Sequence, residues 1–98
     1  MRKIEKDMLY GWLADKPFKC RNTQVVVVAG IKTLYLHGNT IAKGEVGKPT
    51  PTTVTMAGWN TCTTRSRLNA LPNVNCYMRK GVAYINGIII TDNQSITI

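Results

Sequence analysis

The feature that most constrains the fold is a series of short β-branched runs broken by turn residues. After Asn22 the chain reads TQVVVV, IKTLYL and NTIAKGEV, and the breaks between these runs are Ala29-Gly30 and His37-Gly38-Asn39. β-branched residues favour strands, whereas glycine and asparagine adopt the backbone angles that tight turns require. This stretch therefore predicts a meander of short strands. A loop, GEVGKPTPTT, and a further strand over residues 52–56 follow it.

The N-terminal segment has a different periodicity. Apolar side chains recur there at spacings of three and four residues, which is the stripe of an amphipathic helix: Ile4, Met8, Leu9, Trp12 and Leu13. Lys16 and Pro17 are expected to end this helix, because proline disfavours helical backbone in the residue before it. We expect the stripe to pack on the strands as part of the core.

The segment GWNTCTTRSRLNALP, residues 58–72, predicts a second, short helix over residues 61–71. Asn60, Thr61 and Thr63 are all competent N-caps, and Pro72 discourages continuation. Leu68 and Leu71 share a face that can dock on the core. At about 100° per residue, Arg65 and Arg67 fall on opposite flanks of that face, where their guanidinium groups are expected to stay in water.

The chain after this helix predicts paired hairpin strands. Turn dipeptides occur at Lys80-Gly81 and Asn86-Gly87. A two-residue loop at Lys80-Gly81 places three pairs of residues opposite each other, Arg79 with Val82, Tyr77 with Tyr84, and Cys76 with Ile85. Alternation then directs Val74, Cys76 and Met78 to the core and Asn75, Tyr77 and Arg79 to the other face. The C-terminal SITI is expected to form an edge strand.

Together these elements predict an α+β fold. It consists of a mostly antiparallel sheet of short strands, an N-terminal amphipathic helix and a second short helix. The chain has 98 residues, of which 44% are hydrophobic and 18% charged. That size and composition suit one folded domain spanning residues 1–98.

The residue inventory offers little for catalysis or metal binding. His37 is the one histidine and sits in a turn, and no serine or cysteine lies in a nucleophile motif. The five acids are scattered along the chain: Glu5, Asp7, Asp15, Glu45 and Asp92. We therefore expect a protein that is not an enzyme and has no cofactor. Cys20, Cys62 and Cys76 with His37 match no usual zinc spacing, so we expect reduced, mostly buried thiols without metal.

The N-terminus has no apolar signal region, and no stretch approaches the length needed to span a membrane. We expect a cytoplasmic protein without membrane association.

The charge of the chain is positive and unevenly distributed. The net charge is +8, and residues 16–44 and 46–91 each contain five Lys or Arg and no acid. A phosphate backbone or an acidic protein surface is the natural partner for such a chain. The alternative is that the charge only keeps a small protein soluble.

Two segments carry a resemblance to known proteins. These are NTQVVVVAGIKTLYLHGNTIA, with Tyr35, Leu36, His37, Gly38 and Asn39, and GWNTCTTRSRLNAL, with Gly58, Trp59, Asn60, Thr61, Thr63, Thr64, Arg65, Arg67, Leu68 and Leu71. They resemble small uncharacterised proteins encoded by tailed bacteriophages and prophages. The resemblance implies a phage origin and brings no biochemical activity with it.

Two functions fit these observations. The first is an inhibitor or modulator that binds a host protein complex, such as a defence nuclease or a polymerase, in the host cytoplasm. The second is direct, largely sequence-independent binding of nucleic acid through phosphate contacts and tyrosine stacking, although no recognised nucleic-acid-binding motif is present. Both use the same candidate partner-binding residues: Arg65, Arg67, Tyr77, Arg79, Lys80 and Tyr84. A structural role for one tyrosine, covering a helix or a neighbouring strand, is an alternative.

Overall fold

A computed structural model describes residues 2–58, 61–90 and 94–98. In these residues the fold is α+β and mostly antiparallel sheet, which confirms the predicted fold class. The helices are α1 (Lys3–Leu13) and α2 (Cys62–Asn69). The strands are β1 (Phe18–Cys20), β2 (Thr23–Val28), β3 (Ile31–Leu36), β4 (Asn39–Glu45), β5 (Thr53–Thr55), β6 (Cys76–Arg79), β7 (Val82–Ile85), β8 (Ile88–Ile90) and β9 (Ser95–Thr97).

The larger sheet has the strand order β1-β2-β3-β4-β5-β9, and every pairing in it is antiparallel. The predicted meander forms its centre. Ala29-Gly30 and His37-Gly38 both have positive φ angles, as a two-residue hairpin turn requires. The C-terminal strand β9 lies at the edge, as predicted. The short strand β1 was not predicted; it pairs with β2 at the other edge.

The smaller sheet has the order β6-β7-β8. Its register matches the predicted one, with Tyr77 opposite Tyr84, Arg79 opposite Val82, and Cys76 opposite Ile85. Both turn dipeptides, Lys80-Gly81 and Asn86-Gly87, have positive φ at each residue. Two tight turns therefore fix the register of all three strands.

Helix α1 packs on the larger sheet through Met8 and Trp12, which are both fully buried. The Trp12 indole N–H donates to the backbone oxygen of Pro49 at 2.9 Å. The ring lies directly over Gly44 in β4, where an added Cβ would come within 2.9 Å of it. The helix ends at Leu13, earlier than the predicted stop at Lys16 and Pro17, and Leu13 itself is exposed rather than packed.

Helix α2 forms within the predicted range but is shorter. Thr61 is its N-cap and accepts a hydrogen bond from the backbone N–H of Thr64, whereas Asn60 lies outside the described residues. The helix ends at Asn69. Leu68 and Leu71 are both buried, as their shared face predicts.

One apolar core joins the two helices and the two sheets. It contains Leu34 and Ile41 from the larger sheet, Ile85 and Ile90 from the smaller one, and Leu68 from α2. Val74 and Cys76 are buried in it as predicted. The prediction that Met78 is a core residue is wrong, since its side chain is 40% exposed. Met78 lies two positions farther along β6 than Cys76, near the solvent-exposed turn.

Within the described residues, no helix is long and apolar enough to cross a membrane.

Candidate functional site

The smaller sheet carries the largest group of the predicted binding residues on one surface. Side chains opposite each other in an antiparallel pair point to the same face, and alternate residues of a strand do so too. By this rule Tyr77, Arg79, Val82, Tyr84 and Ile89 share one face. We call these five residues the outer face. The opposite, inner face carries the buried Cys76, Ala83, Ile85 and Ile90.

The two tyrosines of the outer face stack on each other. Their ring centroids are 5.1 Å apart and the ring planes differ by 11°. Each ring is therefore covered on one side by the other, and both are half-buried. Such a pair forms a rigid aromatic ridge with little side-chain entropy left to lose on binding.

Apolar and basic groups surround this ridge. Val82 and Ile89 are 37% and 56% exposed, and Arg79 and Lys80 are exposed at the end of the β6–β7 hairpin. The prediction from the sequence included Tyr77, Arg79, Lys80 and Tyr84 but missed Val82 and Ile89. The signal for Ile89 was present in the sequence, as an Asn-Gly turn followed by three isoleucines places the middle one opposite Tyr84.

Arg67 does not belong to this surface, and the prediction that its guanidinium stays in water is wrong. The side chain is buried, with 4% exposure, and extends towards α1. Its Nη1 donates to the Glu5 Oε2 at 2.8 Å, and its Nε donates to the Thr23 hydroxyl at 3.0 Å. Arg67 therefore joins α2 to α1 and β2, and it is not available to a partner.

Glu5, the acceptor in this pair, is also buried and is well supplied with donors. Besides Arg67, the Ser66 hydroxyl and the Arg2 backbone N–H donate to its carboxylate. Burial by itself raises the pKa of Glu5, but these hydrogen bonds and the Arg67 charge outweigh it and hold the pKa below its ordinary value of 4.5. The carboxylate is thus ionised at neutral pH, and the cluster is a structural ion pair.

Arg65, the other predicted arginine of α2, lies in a different environment. Its Nη2 is 3.3 Å from the Cys62 Sγ, one turn earlier. Both residues line an open pocket of about 420 Å³ that also contains Ser66 and Cys76. Burial raises the pKa of the Cys76 thiol to about 11, although the Arg65 charge opposes this shift. Arg65 therefore lies beside the start of β6 and is separate from the outer face.

The three cysteines are free in the structure, and they differ in exposure. Cys76 is buried, Cys20 is half-buried and Cys62 is exposed. The expectation that the thiols are mostly buried is therefore wrong for Cys62, which stands at the first position of α2 with its side chain towards solvent.

A second pocket, of about 460 Å³, lies between the β3–β4 turn and the start of α2. Leu36, Ile41 and Met56 form its apolar floor, while His37, Thr61 and Thr63 stand at its polar edge. The His37 Nε2 is 3.3 Å from the Asn22 side-chain nitrogen, so the imidazole hydrogen-bonds to the neighbouring β1–β2 turn.

In residues 2–58, 61–90 and 94–98, no three His, Cys, Asp or Glu side chains come together as a metal site requires. Asp92 lies outside these ranges.

The model of the family described as Kyanoviridae Gp96 protein matches residues 1–98, the whole chain. Comparison with curated proteins and with solved structures gives no match.

Proposed function

Because the chain belongs to the Kyanoviridae Gp96 protein family, which is a phage family, we propose that it is a non-enzymatic phage accessory protein that binds a host protein. The binding surface is the outer face, extended by Lys80 at the hairpin turn. The protein acts in the host cytoplasm as an inhibitor or modulator of a complex that defends the cell or processes nucleic acid.

The observation that carries this proposal is the composition and rigidity of the outer face. Tyrosine and arginine are enriched among the residues that dominate binding energy at protein interfaces. Here two stacked tyrosines lie beside an exposed arginine and two exposed aliphatic side chains. Hairpin turns hold both ends of β7, so the surface is preorganised and needs little reordering on binding.

Among the described residues, the cations Arg79 and Lys80 at the β6–β7 hairpin are not neutralised by an acid. Each of the four described acids forms an ion pair elsewhere: Asp7 with Lys3, Asp15 with Lys32, Glu45 with Lys48 and Glu5 with Arg67. Arg79 and Lys80 have no carboxylate partner within the part of the chain that the structure describes. The proposed partner therefore presents an acidic patch beside an apolar one.

Direct nucleic-acid binding is the second candidate, and the net charge of +8 favours it. The tyrosine geometry argues against a stacking platform. Bases stack on open aromatic faces, whereas Tyr77 and Tyr84 each use one face on the other. We therefore rank a protein partner first.

An affinity capture from host lysate, with and without nuclease treatment, tests the proposal. The bait is the wild-type chain, a Tyr84→Ala variant or an Arg79→Glu variant. Lys19→Glu, an exposed charge reversal on β1, is the matched control for the arginine change. We expect one protein to survive nuclease treatment with wild type and Lys19→Glu, and its recovery to fall at least tenfold with either outer-face variant.

Two other results would contradict the proposal. Recovery that disappears with nuclease supports direct nucleic-acid binding instead. In that case the affinity of wild type for random-sequence DNA or RNA falls as a power of salt concentration, with a shallower slope in an Arg79→Ala variant. Equal recovery with all variants shows that the binding surface lies away from the outer face.

A further inference from the structure

The smaller sheet has two edges, β6 and β8, and the ladder determines which backbone groups point outwards. The Asn86 N–H donates to the Asn75 oxygen at 2.8 Å, so these two residues form a hydrogen-bonded pair. Such pairs alternate along an antiparallel ladder. The backbone N–H and C=O of Tyr84 therefore point to β6 and form hydrogen bonds with Tyr77. On the other side of β7, Tyr84 and Ile89 lie opposite each other as a pair that is not hydrogen-bonded. The N–H and C=O of Ile89 consequently point away from the sheet.

The β6 edge is partly closed by α2. The outward N–H of Cys76 donates to the Asn69 side-chain oxygen at 2.5 Å, and the Asn69 amide donates to the Cys76 carbonyl at 2.7 Å. One asparagine side chain thus satisfies both outward groups of Cys76, as a neighbouring strand would. A further strand cannot pair with this part of β6.

The edges of the larger sheet are protected by polar residues. The middle residue of β1 is the exposed Lys19, and charged edge residues, lysine above all, oppose the addition of another strand. At the other edge, β9 presents Ser95 and Thr97 as exposed side chains. Neither edge offers an apolar surface for pairing.

The β8 edge is neither capped by a side chain, as β6 is, nor polar, as β1 and β9 are. It consists of Ile88, Ile89 and Ile90, and the first two are 48% and 56% exposed. It contains no charge, proline or bulge, and in the described chain no other group bonds to the outward N–H and C=O of Ile89. An exposed apolar edge of this kind is a template for another strand.

We propose that two copies of this chain pair through β8, antiparallel, about a two-fold axis at Ile89. The Ile89 N–H of each copy donates to the Ile89 C=O of the other. Ile88 then lies opposite Ile90 of the second copy, and Ile89 lies opposite its own counterpart on the outer face. The two smaller sheets become one six-stranded sheet. The edge is self-complementary, as a two-fold interface requires, because it pairs isoleucine with isoleucine throughout.

The net positive charge does not oppose this arrangement at the seam. The basic residues Arg79 and Lys80 lie on the far side of the sheet, on and beside β6. With strands about 4.8 Å apart, β6 of one copy is five spacings, about 24 Å, from β6 of the other. The Debye length at physiological ionic strength is about 8 Å, so repulsion between these groups is largely screened.

Dimerisation extends the outer face and does not depend on the proposed function. The row Tyr77, Tyr84 and Ile89 continues across the axis into its counterpart, so the dimer presents two linked copies of the same surface. A three-residue seam is shorter than a standard interface. We therefore expect a dimer that dissociates on dilution.

Sedimentation velocity on the full chain over a dilution series of about two decades tests the proposal. We expect wild type to reach twice the chain mass of 10.9 kDa at high concentration. Ile89→Lys places two charges against each other at the axis and is expected to stay monomeric. Val28→Lys adds the same charge at a 63% exposed site on β2 and is expected to dimerise like wild type.

A backbone variant separates strand pairing from other contacts. Ile89→Pro removes an N–H that has no partner among the described residues, so the hairpin is expected to keep its circular dichroism spectrum while the dimer is lost. Wild type that stays monomeric at every concentration would overturn the proposal. So would a dimer that persists in both Ile89 variants, or one that is lost in Thr97→Lys, which would assign the contact to β9.

Discussion

The burial of Arg67 leads to a prediction about stability that can be worked out from its contacts. An Arg67→Ala change removes the donor 2.8 Å from the Glu5 carboxylate and the donor 3.0 Å from the Thr23 hydroxyl. Glu5 is 3% exposed, so its carboxylate loses its charged partner at a site that solvent barely reaches. Breaking a buried ion pair from one side costs about 3–5 kcal/mol.

That cost is large for a chain of this size. Domains of about 100 residues are stable by roughly 5–15 kcal/mol. Each kcal/mol corresponds to about 4–8 °C in Tm, so Arg67→Ala should lower the Tm by about 12–40 °C. Urea and thermal unfolding followed by circular dichroism measure both quantities. Arg65→Ala, on the same helix but half-exposed, should cost less than about 1 kcal/mol.

A double variant distinguishes a lost pair from lost packing. Glu5→Leu combined with Arg67→Leu removes both charges, and replacing a whole buried pair by apolar residues is often neutral. We expect the double variant to be more stable than Arg67→Ala by about 2 kcal/mol or more. An Arg67→Ala loss below about 1 kcal/mol would refute the reasoning, since it would mean that Glu5 is reached by solvent.

Three further predictions concern the Glu5 carboxylate, the contact of Gly44 with Trp12, and the cysteines. The pKa of Glu5 is lowered in the folded state, so the carboxylate stabilises the fold above pH 4.5, and this contribution is lost as the pH falls through the pKa of the folded state. Glu5→Gln should therefore make the free energy of unfolding depend less on pH in that acid range, as urea titrations would detect. Gly44→Ala should cost about 1–3 kcal/mol in urea unfolding, as the new Cβ meets the Trp12 ring at 2.9 Å, and an unchanged midpoint would mean that the ring has room to move. Cys62 should react with a maleimide at pH 8 far faster than Cys76, which is buried with a pKa of about 11; peptide mapping of labelled protein that found equal rates would contradict the burial of Cys76.

The parts of the fold that depend on short-range chemistry could be predicted from the sequence. Lys80-Gly81 and Asn86-Gly87 can adopt the positive φ angles of tight turns, and a two-residue turn fixes the register of its strands. The pairing of Tyr77 with Tyr84 followed directly. Strand β1 was missed because three residues after Pro17 carry no periodicity of their own, and they form a strand only through pairing with β2.

The placement of Arg67 could not be predicted from helical spacing. The spacing of residues gives the direction in which a side chain leaves its helix axis. It does not show which other element packs against that side of the helix. Glu5 is 62 positions away in the sequence, and α1 brings it to Arg67 only in the folded chain. The exposure of Met78 has a similar origin. Alternation along β6 places Met78 on the inner face with Cys76, but it does not show at which residue of β6 the core ends.

The central claim is that the outer face binds a host protein, and Arg79 and Tyr84 test it most directly. The measurement is recovery of one protein from nuclease-treated host lysate by equal amounts of folded bait, after circular dichroism has verified each variant. Tyr84→Ala and Arg79→Glu should each lower that recovery at least tenfold, while Lys19→Glu leaves it unchanged. Equal recovery by all four baits would contradict the claim.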